Sequence, residues 1–121
     1  MCTIKYTWHV LAVRNLEESV RYYVEQLGFD EIRRTPNGKA FLKHPHFQVI
    51  LGECPDEMLA KHTGDHAYFA YIVCEEIDVL YRDLLKRKAI ISSPIDTKPW
   101  GMREFNVDTP DGHRMVFGQE C

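Results

Sequence analysis

The order of hydrophobic and polar positions predicts the same set of elements twice along the chain. In the first half, the apolar stretch 8–13 predicts a strand. An amphipathic helix follows, with its apolar stripe at Leu16, Val20, Tyr23 and Leu27. Asn15 and Glu18 form a capping box at the start of this helix, and Gly28 predicts its end.

Three strands are predicted after this helix, and the whole order then returns in the second half. In the first half, these three strands span 29–35, 39–44 and 47–53, with a turn at Pro36-Asn37-Gly38 between the first two of them. In the second half, a strand at 68–74 precedes a helix whose apolar face holds Ile77, Leu80, Tyr81 and Leu84. Strands at 90–95, 102–108 and 114–119 follow it. The repeat spacing is 61 residues at the helix caps, Asn15 and Glu76, and 66 residues at the last strands.

The duplication predicts one α+β domain that consists of two βαβββ modules. A chain of 121 residues has the size of a single domain. We assign the modules to 1–53 and 66–121, joined by the polar connection 54–65. The extra residues of the second module are expected in 92–101, as a loop that carries Trp100.

In each module the helix covers one face of the sheet and leaves the other face bare. We expect the two bare faces to enclose a common cleft, which would be the ligand site. Because strand residues alternate between faces, Leu11 and Val13 are expected to face the helix. The expected cleft residues are Trp8, Val10 and Ala12, Gln48, Ile50 and Gly52, Phe69, Tyr71 and Val73, and Arg114, Val116 and Gly118.

Composition and charge narrow the possible functions. The chain is 45% hydrophobic and 27% charged, which is typical of a globular protein. A net charge of −3 offers no electrostatic footprint for nucleic acid or anionic lipid and favours neutral or cationic ligands. With no long apolar run and no signal-peptide pattern, we expect a soluble, cytoplasmic protein. The cysteines at 2, 54, 74 and 121 are expected to be reduced, and no nucleophile or phosphate-loop motif occurs.

Two segments resemble a known family. The run from Val13 to Phe29 resembles the opening of the vicinal oxygen chelate superfamily, which includes glyoxalase I, extradiol dioxygenases and bleomycin resistance proteins. The segments 100–105 and 109–113 resemble the bleomycin-resistance branch in particular. The resemblance implies paired βαβββ modules that form an eight-stranded curved sheet around a cleft. It also implies a homodimer and a role in antibiotic resistance.

Metal-dependent members of the superfamily hold their ion at four cleft-facing positions, on the first and last strands of each module. These positions correspond here to Trp8, Ile50, Phe69 and Val116, none of which is a metal ligand. His9 and His66 lie near these strands with the wrong parity, and Glu53 and Glu120 lie at strand ends. The prediction is therefore a site without metal or other cofactor.

Three functions remain open from the sequence. The first is a binding protein, without catalytic residues, that holds a small aromatic or cationic molecule. Its predicted ligand-binding residues are Trp8, Val10, Gln48, Ile50, Phe69, Tyr71, Trp100, Arg103, Arg114 and Val116. Arg103 and Glu104 either orient a polar ligand group or form a structural ion pair. The second function is a metal-dependent lyase or dioxygenase with a displaced ligand set, and the third is a partner-binding module whose aromatic residues only fill the core.

Overall fold

The computed structural model describes residues 3–56 and 68–121, and the elements found there follow the predicted order. The first helix, Leu16–Arg21, continues directly into a π-helical segment, Tyr22–Gln26. The elements are β1 (His9–Val13), α1 (Leu16–Arg21), β2 (Asp30–Thr35), β3 (Lys39–His44), β4 (Phe47–Glu53), β5 (Tyr68–Val73), α2 (Ile77–Lys86), β6 (Ile90–Thr97), β7 (Met102–Asp108) and β8 (Arg114–Glu120). Within the described residues, no helix has the length and apolar character needed to cross a membrane.

The eight strands form two sheets of identical topology, one in each module. Their orders are β1-β4-β3-β2 and β5-β8-β7-β6. The pairs β1–β4 and β5–β8 are parallel, and the other neighbouring strands are antiparallel. The predicted α+β fold with tandem βαβββ modules is confirmed, with the eight strands hydrogen-bonded as two sheets of four. The extra residues of the second module lie partly within β6, where two register shifts interrupt its pairing with β7.

The helices begin in the same way in both modules. The backbone N–H of Leu16 donates to Oε2 of Glu53 at 2.9 Å, and that of Ile77 donates to Oε1 of Gln119 at 2.8 Å. A side chain at the end of the last strand therefore satisfies the first helical N–H in each module. Asn15 adds the predicted cap by accepting the N–H of Glu18 at 3.0 Å.

The helix-facing sides of the sheets form the core, as the strand alternation predicts. Leu11 and Val13 of β1 are buried, and so are Val49 and Leu51 of β4. In the second module the buried residues of the sheet include Phe105, Val107 and Met115. His9 lies on the same side as Leu11 and packs edge-to-face against Phe47 and Phe69, with ring centroids 5.6 and 5.8 Å apart.

Polar contacts near α1 hold the two modules together. The buried carboxylate of Asp111, in the turn between β7 and β8, accepts the Arg14 N–H at 3.1 Å and the Ser19 hydroxyl at 3.3 Å. The Tyr22 hydroxyl donates to the Asp108 carbonyl at 2.5 Å and accepts the Ile90 N–H at 2.9 Å. Burial raises the pKa of this hydroxyl to about 12. These contacts explain why the Asp-Gly turn carries a carboxylate in a buried position.

The expectation of one common cleft between the modules is wrong. The inter-module contacts named above lie on the helix side of the sheets, so, for 3–56 and 68–121, the modules stand side by side and their bare faces do not enclose one cleft. Val10 on the first face is 69% exposed, and Tyr71 on the second is 43% exposed. The cavities on the two faces have no lining residue in common.

Candidate functional site

The bare face of the second module holds a cavity of about 410 Å³. It lies over β5, β8 and β7, and Ser93 in the middle of β6 and the β6–β7 turn form its wall. The lining residues are Tyr68, Tyr71, Ser93, Lys98, Trp100, Glu104, Asn106, Arg114 and Val116. The structure thus brings together four residues that the sequence placed in the site, namely Tyr71, Trp100, Arg114 and Val116.

Glu104 is the central polar group of this cavity. Its side chain is buried, although it lies on a face of β7 that is otherwise open. Oε2 accepts the Tyr71 hydroxyl at 2.5 Å and the indole Nε1–H of Trp100 at 3.1 Å. Burial and the hydrogen bond to Glu104 together raise the pKa of Tyr71 to about 12. The carboxylate therefore holds two aromatic rings in defined positions around the cavity.

Gly118 permits the contact between Tyr71 and Glu104. These two residues lie on β5 and β7, and β8 runs between them, so the Tyr71 side chain must cross β8. A Cβ atom on Gly118 would lie 2.1 Å from the Tyr71 hydroxyl oxygen and 2.6 Å from Cζ. The absence of a side chain at position 118 is therefore a condition for the site.

The two cationic side chains of the cavity each have an acidic partner. Nε of Arg114 lies 3.1 Å from Oδ1 of Asp108, and Nζ of Lys98 lies 3.9 Å from Oδ2 of Asp96. Both hydrogen bonds to Glu104 come from neutral donors. The cavity therefore combines aromatic surface with one carboxylate whose charge no cation offsets by direct contact within the described residues.

The predicted orientation of Phe69 is wrong, and Tyr68 occupies the corresponding place. In the β5–β8 pairing, Tyr68 lies opposite Arg114 and Ala70 lies opposite Met115, so Phe69 is the extra residue of a bulge. A bulge reverses the alternation of faces on its N-terminal side. Phe69 consequently lies on the helix side and lines an apolar cavity of about 530 Å³ between the modules.

Arg103 also faces away from the predicted site. It lies on the helix side of β7, where its Nε and Nη2 atoms donate to the Asp78 carboxylate on α2 at 2.8–3.2 Å. Nη1 donates to the Thr97 hydroxyl at 3.0 Å. Arg103 therefore forms a structural ion pair with Asp78 and not with its neighbour Glu104, and the ligand-orienting role of Arg103 is not supported. The neighbouring Glu104, the other residue expected to orient a polar ligand group, lies on the opposite face of β7 and does line the cavity.

The four site residues of the first module lie on its own bare face. Trp8 packs edge-to-face against Phe41 with ring centroids 5.4 Å apart, and Nε2 of Gln48 donates to the Thr7 carbonyl at 2.9 Å. Val10 pairs with Ile50 across β1 and β4. Trp8 and Gln48 line a cavity of about 550 Å³ at the edge of this face. These residues are brought together with one another but not with the second-module site.

The residues at the superfamily's metal positions do not fit a divalent metal ion. The bulge in β5 replaces Phe69 by Tyr68, so the four positions hold Trp8, Ile50, Tyr68 and Val116. None of these offers an imidazole, thiolate or carboxylate donor. Within 3–56 and 68–121, no three histidine, cysteine, aspartate or glutamate side chains cluster as a metal site.

The members of the displaced ligand set that the structure describes are not assembled at one place either. His9 packs among phenylalanine rings on the helix side, and Glu53 caps α1. His66 lies outside the described residues.

Comparisons with known proteins agree with this architecture. A glyoxalase/bleomycin resistance protein/dioxygenase from Alicyclobacillus acidocaldarius matches with a TM-score of 0.82 at 17% identity, over 96% of this chain and 91% of that chain. TioX from Micromonospora sp. ML1 matches with a TM-score of 0.72 at 21% identity, over 97% of each chain. A superfamily member from Sphaerobacter thermophilus DSM 20745 matches with a TM-score of 0.73 at 23% identity, over 98% of each chain. At these identities the likeness concerns the fold.

Two comparisons use the sequence alone: a search of curated proteins and a scan against models of protein families. A search of curated proteins gives no significant match. The family model described as Glyoxalase/Bleomycin resistance protein/Dioxygenase superfamily matches residues 5–117. The chain therefore belongs to the glyoxalase/bleomycin resistance protein/dioxygenase superfamily.

Proposed function

We propose that this protein binds a small aromatic or cationic molecule on the bare face of its second module, without a metal ion. The observation that carries the proposal is the buried Glu104 carboxylate, held by Tyr71 and Trp100 in an open, aromatic-lined cavity. Aromatic faces attract flat molecules by contact area and cations by about 0.5–2 kcal/mol per ring. This arrangement supports binding and requires no reaction.

A ligand screen by thermal shift tests the binding function. Ligands that bind only the folded protein raise its melting temperature by mass action. We expect aromatic compounds to do so for the wild type, and Trp100→Ala to weaken their binding by about tenfold because it removes the most exposed ring of the cavity. Val79→Ala is the matched control, since it truncates an apolar side chain that is 53% exposed on α2, away from the cavity. Equal affinities in the two variants would contradict the proposal.

Metal analysis tests the second part of the proposal. The donor set at the superfamily positions predicts that the purified protein binds its ligand equally well before and after treatment with a chelator. Stoichiometric zinc, nickel, manganese or iron, with loss of ligand binding on its removal, would instead favour the metal-dependent lyase or dioxygenase.

We further propose that the protein is a homodimer in which the bare face of the first module is covered by a second copy. This face carries exposed apolar side chains, among them Tyr6, Val10 and Ile32, whose contact with water is unfavourable. Val10→Asp should then convert a dimer to a monomer in light scattering, whereas Val79→Asp on α2 should not. A wild type that is monomeric at all concentrations would contradict this proposal.

Antibiotic resistance of the bleomycin type and a cytoplasmic location are the finer parts of the proposed function. The resistance role follows from the resemblance of 100–105 and 109–113 to that branch, and the location is carried over from the composition and charge of the chain; both are open to direct test. Cells that express the wild type should survive bleomycin better than cells that express Trp100→Ala at the same level. Fractionation should recover the protein with the cytosolic contents.

A further inference from the structure

The Glu104 carboxylate uses only one of its oxygens within the described residues. Oε2 accepts both the Tyr71 hydroxyl and the Trp100 indole N–H, and no described side chain donates to Oε1. A carboxylate has about four lone-pair sites for hydrogen bonds. Among the described residues only the Tyr23 hydroxyl is a fully buried side-chain atom without a hydrogen-bond partner, so Oε1 of Glu104 keeps contact with the open cavity. Oε1 is therefore an acceptor for which a ligand is the natural donor.

The charges around the cavity favour a cation on this oxygen. The side chains of Arg114 and Lys98 lie against Asp108 and Asp96, so each positive charge already has a negative neighbour. Glu104 lies among aromatic side chains instead, with Tyr71 and Trp100 as its donors. The carboxylate thus supplies the excess charge of the cavity, and that charge is negative.

Aromatic surface next to the carboxylate is open to a ligand. The Trp100 side chain is 65% exposed, and that of Tyr68 is 49% exposed, although both line the cavity. Hydrogen bonding of the Trp100 indole to Glu104 fixes its ring beside the carboxylate. A ligand that has an aromatic ring and a positively charged substituent gains both from stacking on these faces and from cation–π attraction.

We propose that the ligand class is arylalkylamines, bound as ammonium ions with an N–H donated to Oε1 of Glu104 and the aromatic ring against Trp100. This inference rests on the proposed binding function and specifies its ligand. Tyr71 is a positioning residue in this site, since its hydroxyl orients the Glu104 carboxylate. Gly118 determines specificity indirectly, because only a residue without Cβ lets the Tyr71 ring cross β8.

Three probes that share one ring system test the inference. They are 1-naphthylmethylamine, 1-naphthylmethanol and the anion of 1-naphthaleneacetic acid, here called the acetate. Their substituents are positively charged, neutral and negatively charged, and the aromatic ring system is the same in all three. Their dissociation constants for the full-length wild type are measured by titration calorimetry. We expect the amine to bind about tenfold more tightly than the alcohol, as one charge-assisted hydrogen bond requires, and the acetate to bind most weakly.

Two carboxyl-to-amide variants separate the Glu104 contact from a general charge effect. Glu104→Gln retains a side chain that can accept from Tyr71 and Trp100 but lacks the charge, so the preference for the amine should disappear. Glu120→Gln removes the same charge at an exposed position at the end of β8 and should leave the preference intact. If Glu104→Gln does not fold, the order of the three probes on the wild type still decides the question.

Each outcome supports or overturns the inference. Equal binding of the amine and the alcohol, or tightest binding of the acetate, overturns it while the proposed binding function stands. A preference for the amine that survives Glu104→Gln also overturns it. Failure of all three probes to bind the wild type overturns the inference and the aromatic-ligand function together.

Discussion

Replacement of Gly118 by alanine should disrupt the candidate site through a single steric contact. The added Cβ would lie 2.1 Å from the Tyr71 hydroxyl oxygen, 2.6 Å from Cζ and 3.0 Å from Cε1. Real Cβ atoms do not approach other atoms so closely, so the Tyr71 ring must leave its place over β8. Its hydrogen bond to Glu104 is then lost.

The expected cost follows from two opposing terms. Loss of a hydrogen bond to a charged group costs about 1.5–3 kcal/mol, and the partial exposure of Tyr71 places this case near the lower end. Alanine is favoured over glycine within a strand by about 0.5–1 kcal/mol. We therefore expect Gly118→Ala to lower the free energy of unfolding by about 0.5–1.5 kcal/mol.

The repeat itself provides the matched control. Gly52 is the counterpart of Gly118 on β4, and a Cβ atom there would meet no atom within 4 Å. Gly52→Ala should therefore raise the free energy of unfolding by about 0.5–1 kcal/mol. Urea denaturation with linear extrapolation measures both variants.

A double-mutant cycle with Tyr71→Ala identifies the cause. When the Tyr71 ring is absent, Gly118→Ala should become stabilising, as it is at position 52. If Gly118→Ala destabilises the protein equally with and without the Tyr71 ring, the steric explanation is refuted. The same holds if Gly118→Ala and Gly52→Ala have equal effects.

Three further predictions concern the module junction, the two sheet faces and the pH dependence of stability. Asp111→Ala should lower the free energy of unfolding by about 1–3 kcal/mol, because it leaves the Ser19 hydroxyl buried without its acceptor. Urea denaturation measures this change. A loss of less than about 0.5 kcal/mol would contradict the role of the turn in joining the modules. Leu11→Ala should cost about 2–5 kcal/mol of stability because this side chain is buried in the core, whereas Trp8→Ala, on the bare face of the first module, should cost less and leave ligand binding at the second module unchanged; equal losses of stability in the two variants would show that the face assignment is wrong. Burial lowers the pKa of His113 below its ordinary 6.5, so the unfolded chain takes up this proton first as the pH falls. The associated stability is present above pH 6.5 and is lost below it, and His113→Gln should flatten this part of the pH profile in denaturation experiments.

The candidate site was only partly predictable from strand alternation. Alternation correctly placed Tyr71, Arg114 and Val116 on the open face, because β5 is regular after its bulge and β8 keeps its alternation throughout. It failed for Phe69, since the bulge between Tyr68 and Ala70 has no signal in the residues around it. Arg103 and Glu104 were predicted to orient a polar ligand group together, but they alternate on β7 and lie on opposite faces, so only Glu104 lines the cavity.

Local sequence patterns by themselves determined the elements, their order, the duplication and the side of each sheet that becomes core. These properties depend on the spacing of apolar residues over a few turns or strand positions, and that spacing is visible in the chain. Only the tertiary structure decided that the modules stand side by side and that Tyr71 crosses β8 to Glu104. The contacts responsible join residues 97 positions apart at Arg14 and Asp111, and 33 apart at Tyr71 and Glu104. Such contacts depend on how complete helices and strands pack against each other, and the residues around either partner do not predict which distant residue it contacts.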